Sequence, residues 1–222
     1  MELSKKQLLQ IDNYVVVCGI KYYDVRTEIV DHFATILEKR LDKNPDLDFK
    51  QEIINMHKNF SDKGFSKLLK EKTNAVTKRF FKQTLQQLST FFKLPKIIIT
   101  VCMFFVLYNI QFFFEDIESY FQILFCTSSI LMPVIFWSAK KRNKKEKFLV
   151  LSISLGFFQV YHLLVICMQF SYNRSLESLS NTAHNNIFIG CYVMVFLFFF
   201  TGEYVFYQNK KSVKKQYPNI LV

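Results

Sequence analysis

Apolar residues fall into two regimes along this chain. Up to residue 95 they recur at helical spacing among charged and polar positions; beyond it they gather into four long runs. In the first regime, Ser4-Lys5-Lys6-Gln7 has the form of a capping box. Leu8, Ile11, Val15 and Cys18 then share one helical face, and Gly19 is a natural stop. A second helix is predicted from near Asp24, with the stripe Val25, Ile29, Phe33, Ile36, Leu37 and Leu41, ending at Lys43-Asn44-Pro45-Asp46. A third opens at the cap Asp48, with Gln51 three residues on, and carries Phe49, Ile53, Met56 and Phe60. After a break at 61–64, a long fourth helix carries Leu68, Leu69, Val76, Phe80, Leu85, Leu88 and Phe92 toward the first apolar run.

The four runs cover about 97–114, 120–139, 148–170 and 187–207, and none contains Lys or Arg. Each is near the ~20 residues a helix needs to cross a hydrocarbon core of ~30 Å. The fold class expected is therefore all-α: a small cytoplasmic helical domain followed by a four-helix transmembrane bundle. The expected organisation is a three-helix prefix over 1–62, a basic amphipathic juxtamembrane helix over 63–96, the bundle over 97–207 and a basic tail over 208–222. The first 30 residues carry charges throughout and lack an uninterrupted apolar core, so insertion is expected to start from an internal segment.

Charge placement adds an orientation. The formal net charge is +11 over 222 residues. The stretch 63–96 holds nine Lys or Arg against one acid, the connection 140–147 holds six basic residues, and the tail adds Lys210, Lys211, Lys214 and Lys215. The other two connections differ: 115–120 has three acids and no base, and 171–186 has only Arg174 against Glu177. Basic residues thus fall nineteen to one on alternate sides, and loops rich in Lys and Arg stay cytoplasmic. Both termini are expected in the cytoplasm. Lys67, Lys70, Lys78, Arg79, Lys82, Lys140, Lys141, Arg142, Lys144 and Lys145 suit an anionic inner leaflet, where each such charge contributes about 1 kcal/mol. This placement accounts for most of the net charge without nucleic acid, and no DNA-binding pattern is present. Residues 1–62 are nearly neutral, with nine bases and eleven acids. A unit of ~60 residues is marginal alone, so it is expected to lean on the fourth helix, on another subunit or on the membrane domain; the partners expected are a cytoplasmic protein or a second copy in a homo-oligomer.

The segments Ile11-Asp12-Asn13-Tyr14, Gly19-Ile20-Lys21-Tyr22-Tyr23-Asp24-Val25-Arg26-Thr27-Glu28-Ile29-Val30-Asp31-His32 and Asp46-Leu47-Asp48-Phe49 resemble the N-terminal signature of a four-span membrane protein family common in Bacteroidota. More distantly they resemble HAAS-type helical prefixes and permease-prefix domains, which precede membrane segments in proteins linked to PadR-like regulators or ABC permeases. The resemblance covers about residues 8–60. It implies a prefix-plus-membrane architecture and a docking role, and no particular reaction.

Candidate chemistry is sparse. Asp24, Glu28, Asp31 and His32 lie on successive turns of the second helix. They read as a cap (Asp24) with a solvated acidic face, as a partner-docking face, or, through Glu28 and His32 four apart, as a metal or proton site. His57 stands isolated on the third helix, in a structural or exposed role. In the membrane half, a rise of 1.5 Å per residue puts Asn109, Thr127, Ser128, Ser129, Gln159 and His162 at about 16–21 Å from the inner surface. That layer reads either as interhelical hydrogen-bond glue or as a substrate, ion or proton site, with His162 its one ionisable member. Glu203 is about 15 Å shallower and snorkels or meets a basic cytoplasmic residue. The five cysteines (Cys18, Cys102, Cys126, Cys167 and Cys191) form no CxxC pair and read as small hydrophobes. Five scattered glycines make no phosphate-binding loop, and no GxSxG or HExxH occurs. No cofactor or metal is expected. The leading expectation is a non-enzymatic signalling, accessory or anchoring protein; the alternatives are a small transporter or permease-like subunit using the polar layer, and a membrane enzyme using His162.

Overall fold

The computed structural model describes residues 2–60, 64–142, 146–175, 181–218 and 220. Of the expected lipid-facing residues, Lys144 and Lys145 lie outside the described residues, as do the side chains of Lys140, Lys141 and Arg142. The described residues form eight α-helices and no strand: α1 (Lys5–Val17), α2 (Tyr23–Lys43), α3 (Phe49–Phe60), α4 (Gly64–Ser89), α5 (Ile97–Ile110), α6 (Ile117–Arg142), α7 (Leu149–Ser175) and α8 (Asn181–Gln216). Short 3₁₀ turns follow α4 (Thr90–Phe92) and α5 (Gln111–Phe113). The chain divides into two compact units, Met1–Lys78 with Lys145–Ser152, and Arg79–Lys144 with Ile153–Val222.

In the first unit, local signals settle the helix starts. Ser4 and Gln7 form a reciprocal capping box at α1, and Gly19, at φ +95°, supplies the left-handed turn that ends it. Asp48 accepts the Lys50 N–H at 3.1 Å at the head of α3. The apolar stripe of α2 is the core: Val25, Ile29, Phe33, Leu37 and Leu41 are buried, together with Ile11 and Val15 of α1, Ile20, and Ile53 and Met56 of α3. Side chains of this size stabilise the fold by about 1.5–3 kcal/mol each when fully buried. Arg40 of α2 forms an ion pair with the buried Glu52 of α3.

Residues 146–152 belong to the same unit although they follow α6. The Tyr23 N–H donates to the Lys147 carbonyl at 2.7 Å, within an isolated parallel bridge between Tyr22 and Lys147. Phe148 is fully buried with its ring 5.7 Å from that of Tyr23. The first turn of α7 is thus built into the N-terminal unit.

The second unit has an aromatic interior. One cluster joins Tyr120, Phe121 and Phe125 of α6, Met168 and Tyr172 of α7, and Phe188, Ile189 and Tyr192 of α8, with Phe104, Leu107 and Tyr108 of α5 packed against it. A second joins Phe80 of α4 to Phe157, Phe158, Tyr161 and Val165 of α7 and Phe199 and Val205 of α8. Outward positions are also apolar: Ile98, Phe105, Leu163, Ile166, Phe170 and Phe200 are exposed.

Two helices, α7 and α8, are long and apolar enough to cross a membrane, and a third crossing arises if the bent pair formed by residues 65–92 and 97–113 counts as one span. The pair is bent by 79°. Measured at 1.5 Å per α-helical and 2.0 Å per 3₁₀ residue, 97–113 is ~27 Å long. The helix α6 contains 26 residues. Two details differ from the sequence expectation. Of the connection 171–186, residues 171–175 and 181–186 are helical, because α7 runs to Ser175 and α8 starts at Asn181. The basic tail through Gln216 continues α8 as one 36-residue helix. Leu85 of α4 and Phe92 of the 3₁₀ turn after it are exposed.

Candidate functional site

The four acidic-face candidates on α2 separate by role. The N-cap of α2 is Tyr22, which makes no side-chain cap bond. Asp24, one residue inside the helix, turns its carboxylate to α7: it accepts the Leu149 N–H at 2.9 and 3.1 Å and the Val150 N–H at 3.5 Å. The reading of Asp24 as the cap of α2 is therefore corrected, since it caps a helix whose first residue lies 125 positions on. An α-helix leaves its first N–H groups unpaired and its start partly positive, so a carboxylate there is doubly favoured. Beside it, Arg26 pairs with Asp12 (Nε–Oδ1 2.6 Å) and Glu146 (Nη2–Oε1 3.1 Å). Glu28 is exposed and pairs with Lys72 of α4 at 2.5 Å. Asp31 and His32 occupy exposed positions on the next turn. Asp24 and Glu28 thus join α2 to other segments of the unit, and Glu28, Asp31 and His32 are at its surface. Among the described residues no group of three His, Cys, Asp or Glu side chains is placed to hold a metal.

His57 is far from isolated. Its Nδ1 lies 2.8 Å from the Tyr14 hydroxyl and 3.7 Å from Cys18 Sγ, and its ring stacks on Phe65 at 4.3 Å. Burial pushes the Tyr14 phenol above its ordinary pKa, and the Cys18 thiol adds to this. The trio ties α1, α3 and α4 together within the first unit.

The residues of the polar layer expected at mid-depth have different surroundings. Ser128 is fully buried and lies 2.8 Å from the Tyr192 hydroxyl, which links α6 to α8. Asn109 and Thr127 are exposed and donate to carbonyls of their own helices, Phe105 and Leu124. Gln159 is exposed, and His162 and Ser129 are half-buried. Of the expected lipid-facing residues on α4, Lys67, Lys70, Lys78, Arg79 and Lys82 are all exposed.

Sequence reasoning missed a polar end of the second unit. Asp116 caps α6, accepting the backbone N–H groups of Glu118 and Ser119, both at 3.1 Å, and the Ser119 hydroxyl at 2.7 Å. The Ser119 hydroxyl, then the two N–H groups, hold its carboxyl below the ordinary 3.8. At the head of α8, buried His184 lies 2.8 Å from Ser175 Oγ and 3.4 Å from Asn185 Oδ1. Beside these residues a cavity of about 300 Å³ opens between 108–117 and 182–186. Gln111, Glu115, Thr182, Asn185 and Asn186 supply its polar lining, and Tyr108, Phe112 and Phe114 supply aromatic walls. Gln111 is 6% exposed, and its Oε1 has no hydrogen-bond partner among the described residues; the same holds for the buried Asn186 Oδ1. Leaving a buried acceptor unmade costs about 1–3 kcal/mol. The only trace in the sequence is a Gln near the end of one apolar run and an Asn pair just before another, a pattern that local periodicity does not single out. Comparison of the chain with protein-family models, curated proteins and solved structures returns no match.

Proposed function

We propose that this chain is a four-span inner-membrane protein with both termini in the cytoplasm, and that its helical prefix is a docking module that passes the state of a cytoplasmic partner to the membrane helices. The spans are assigned to α5 with its 3₁₀ turn, α6, α7 and α8. The near-right-angle bend before α5 suits a helix that lies along the membrane surface on its exposed lysines and then turns into the bilayer. The nineteen-to-one bias of Lys and Arg supports the orientation.

The observation that carries the relay is the Asp24 cap on Leu149 and Val150. The prefix grips the opening turn of a long apolar helix by that helix's own unpaired N–H groups. A partner that shifts α2 therefore acts directly on the start of α7. Asp31 and His32, exposed one turn beyond Glu28, form the docking face in this reading. The resemblance of residues 8–60 to HAAS-type and permease-prefix domains favours the same role.

Two measurements test it. A reporter fused after Val222 and another placed in the 115–120 connection should report opposite sides of the membrane; the same side for both removes the topology. Changing Asp31 to Lys together with His32 to Ala should abolish co-purification of the cytoplasmic partner and leave membrane insertion unchanged. Partner recovery at wild-type level in that variant removes the docking face.

A further inference from the structure

A second cavity, of about 380 Å³, lies within the second unit, where the end of α4, its 3₁₀ turn and the start of α5 meet α8. Here α5 and α8 run antiparallel. The Phe91 ring, just before α5, meets that of Phe200 at 6.0 Å, whereas Phe104, farther along α5, lies against Gly190, earlier on α8. The cleft is graded along that axis. Lys96 and Tyr204 line one end, and Met103 and Phe196, about 10–12 Å away at 1.5 Å per residue, line the other. Ile99 and Phe200 stand between them. Lys96 is half-buried and its ammonium is held in place: it donates to the Thr90 hydroxyl at 3.2 Å and lies 5.2 Å from the centre of the Phe91 ring, itself a wall of the cleft. Among the described residues no carboxylate pairs with it and no acid lines the cleft. Beyond Tyr204 the same face of α8 carries Lys211 and Lys215, which line a hollow that shares Tyr204 with the cleft.

These features select one occupant. An ammonium has three N–H donors, and the Thr90 hydroxyl takes one. The remaining donors and the unpaired charge call for an anion. The rest of the cleft is apolar, so the anion must carry hydrocarbon. Free phosphate leaves the apolar end unfilled, and an uncharged hydrophobe leaves the ammonium without a counter-ion. The cationic end of the cleft also lies at the ends of α5 and α8 that adjoin the basic stretches 63–96 and 208–222. Basic pockets between membrane helices on the cytoplasmic side suit anionic headgroups. We propose that this cleft binds one anionic phospholipid, its phosphate on the Lys96 ammonium and one acyl chain against Ile99, Met103 and Phe200. The site rests on the reading of α5 and α8 as membrane spans, and it adds a defined seat to the diffuse attraction of surface lysines for an anionic leaflet.

The test uses the full-length protein in a non-ionic detergent, titrated with dioleoyl phosphatidylglycerol, with bound lipid counted by native mass spectrometry. One saturable copy should bind, at least fivefold more tightly than dioleoyl phosphatidylcholine, and inorganic phosphate in large excess should not displace it. Lys96→Gln should weaken binding at least fivefold, and so should Met103→Trp, which fills the apolar end. Lys93→Gln removes the same charge from an exposed residue outside the lining and should leave binding unchanged. The comparison of the two lipids needs no variant, so it decides the matter even where a substituted chain proves unfolded by circular dichroism. The proposal is overturned by absence of a saturable copy, by equal binding of phosphatidylcholine, by displacement with phosphate, by wild-type affinity in a folded Lys96→Gln or Met103→Trp, or by an equal loss in Lys93→Gln. Retention of the chain in carbonate-washed membranes is measured beside these. Retention without phosphatidylglycerol binding overturns the cleft site alone, and loss from the membranes overturns the span reading with it.

Discussion

A carboxylate near a helix start ordinarily caps that helix, and Asp24 looks like such a residue. Its sequence position identified the chemistry and named the wrong helix. What the sequence lacks is any local mark of the 125-residue separation between Asp24 and the N–H groups it accepts. The same limit hid His57, whose partners Tyr14 and Cys18 lie on α1 and at its C-terminal end, and Gln111, whose burial depends on tertiary packing. Ser128 and the neighbouring Thr127 both bond the Leu124 carbonyl of their own helix, as hydroxyls in apolar helices commonly do, and Ser128 alone also reaches the Tyr192 hydroxyl. Asp24→Ala should remove about 1 kcal/mol from the first turn of α7, the usual effect of deleting a helix cap. Hydrogen exchange reads this directly: the Leu149 and Val150 amides should lose about fivefold in protection, the equivalent of that energy. Asp24→Asn, which keeps an acceptor, should lose less. Unchanged protection at both amides in Asp24→Ala would sink the assignment.

At the scale of elements, α1 to α3 were legible because their caps and stripes are local. The Ser4–Gln7 box, the Gly19 turn and the Asp48 cap each act within a few residues. The apolar runs marked where lipid-compatible helix lies, and not where helix ends; polar residues 181–186 open α8, and basic residues extend it to Gln216. Helix packing brings a second kind of information. A Cβ added at Gly202 of α8 would overlap the Phe157 ring of α7, whereas one added at Gly190 meets only Phe104 Cε2 at 3.9 Å, an ordinary contact. Small residues permit such close approach of apolar helices. Gly202→Ala should therefore cost about 1–3 kcal/mol through overpacking, more than the ~1 kcal/mol that Ala gains over Gly inside a helix. Gly190→Ala should be neutral or stabilising. Melting temperatures in detergent distinguish the two, and pairing Gly202→Ala with Phe157→Leu should recover part of the loss if the ring is the cause. Equal melting temperatures for the two alanine variants would contradict the packing.

On the scale of the whole molecule, the first unit is not a continuous stretch of sequence. Its two segments, Met1–Lys78 and Lys145–Ser152, come from either side of α5 and α6. Phe148, Leu149 and Leu151 are each buried to 2% exposure or less. At about 1.5–3 kcal/mol for each fully buried side chain, the short segment contributes an amount comparable to the 5–15 kcal/mol that holds a whole domain together. The sequence predicts a prefix of ~60 residues that leans on the fourth helix, another subunit or the membrane domain; the segment that returns after α6 is not among these supports. A fragment ending at Lys78 should accordingly be partly unfolded, with weak protection of α1 and α2 amides. A synthetic peptide spanning Glu146–Ser152 should raise that protection in a saturable manner, and the same peptide with Phe148→Ala should fail to do so, since Phe148 meets the Tyr23 ring. Circular dichroism and hydrogen exchange on the fragment, with and without the peptide, measure both effects. A fragment that folds cooperatively by itself and ignores the peptide would show that residues 146–152 are a passenger of the domain and not a structural part of it.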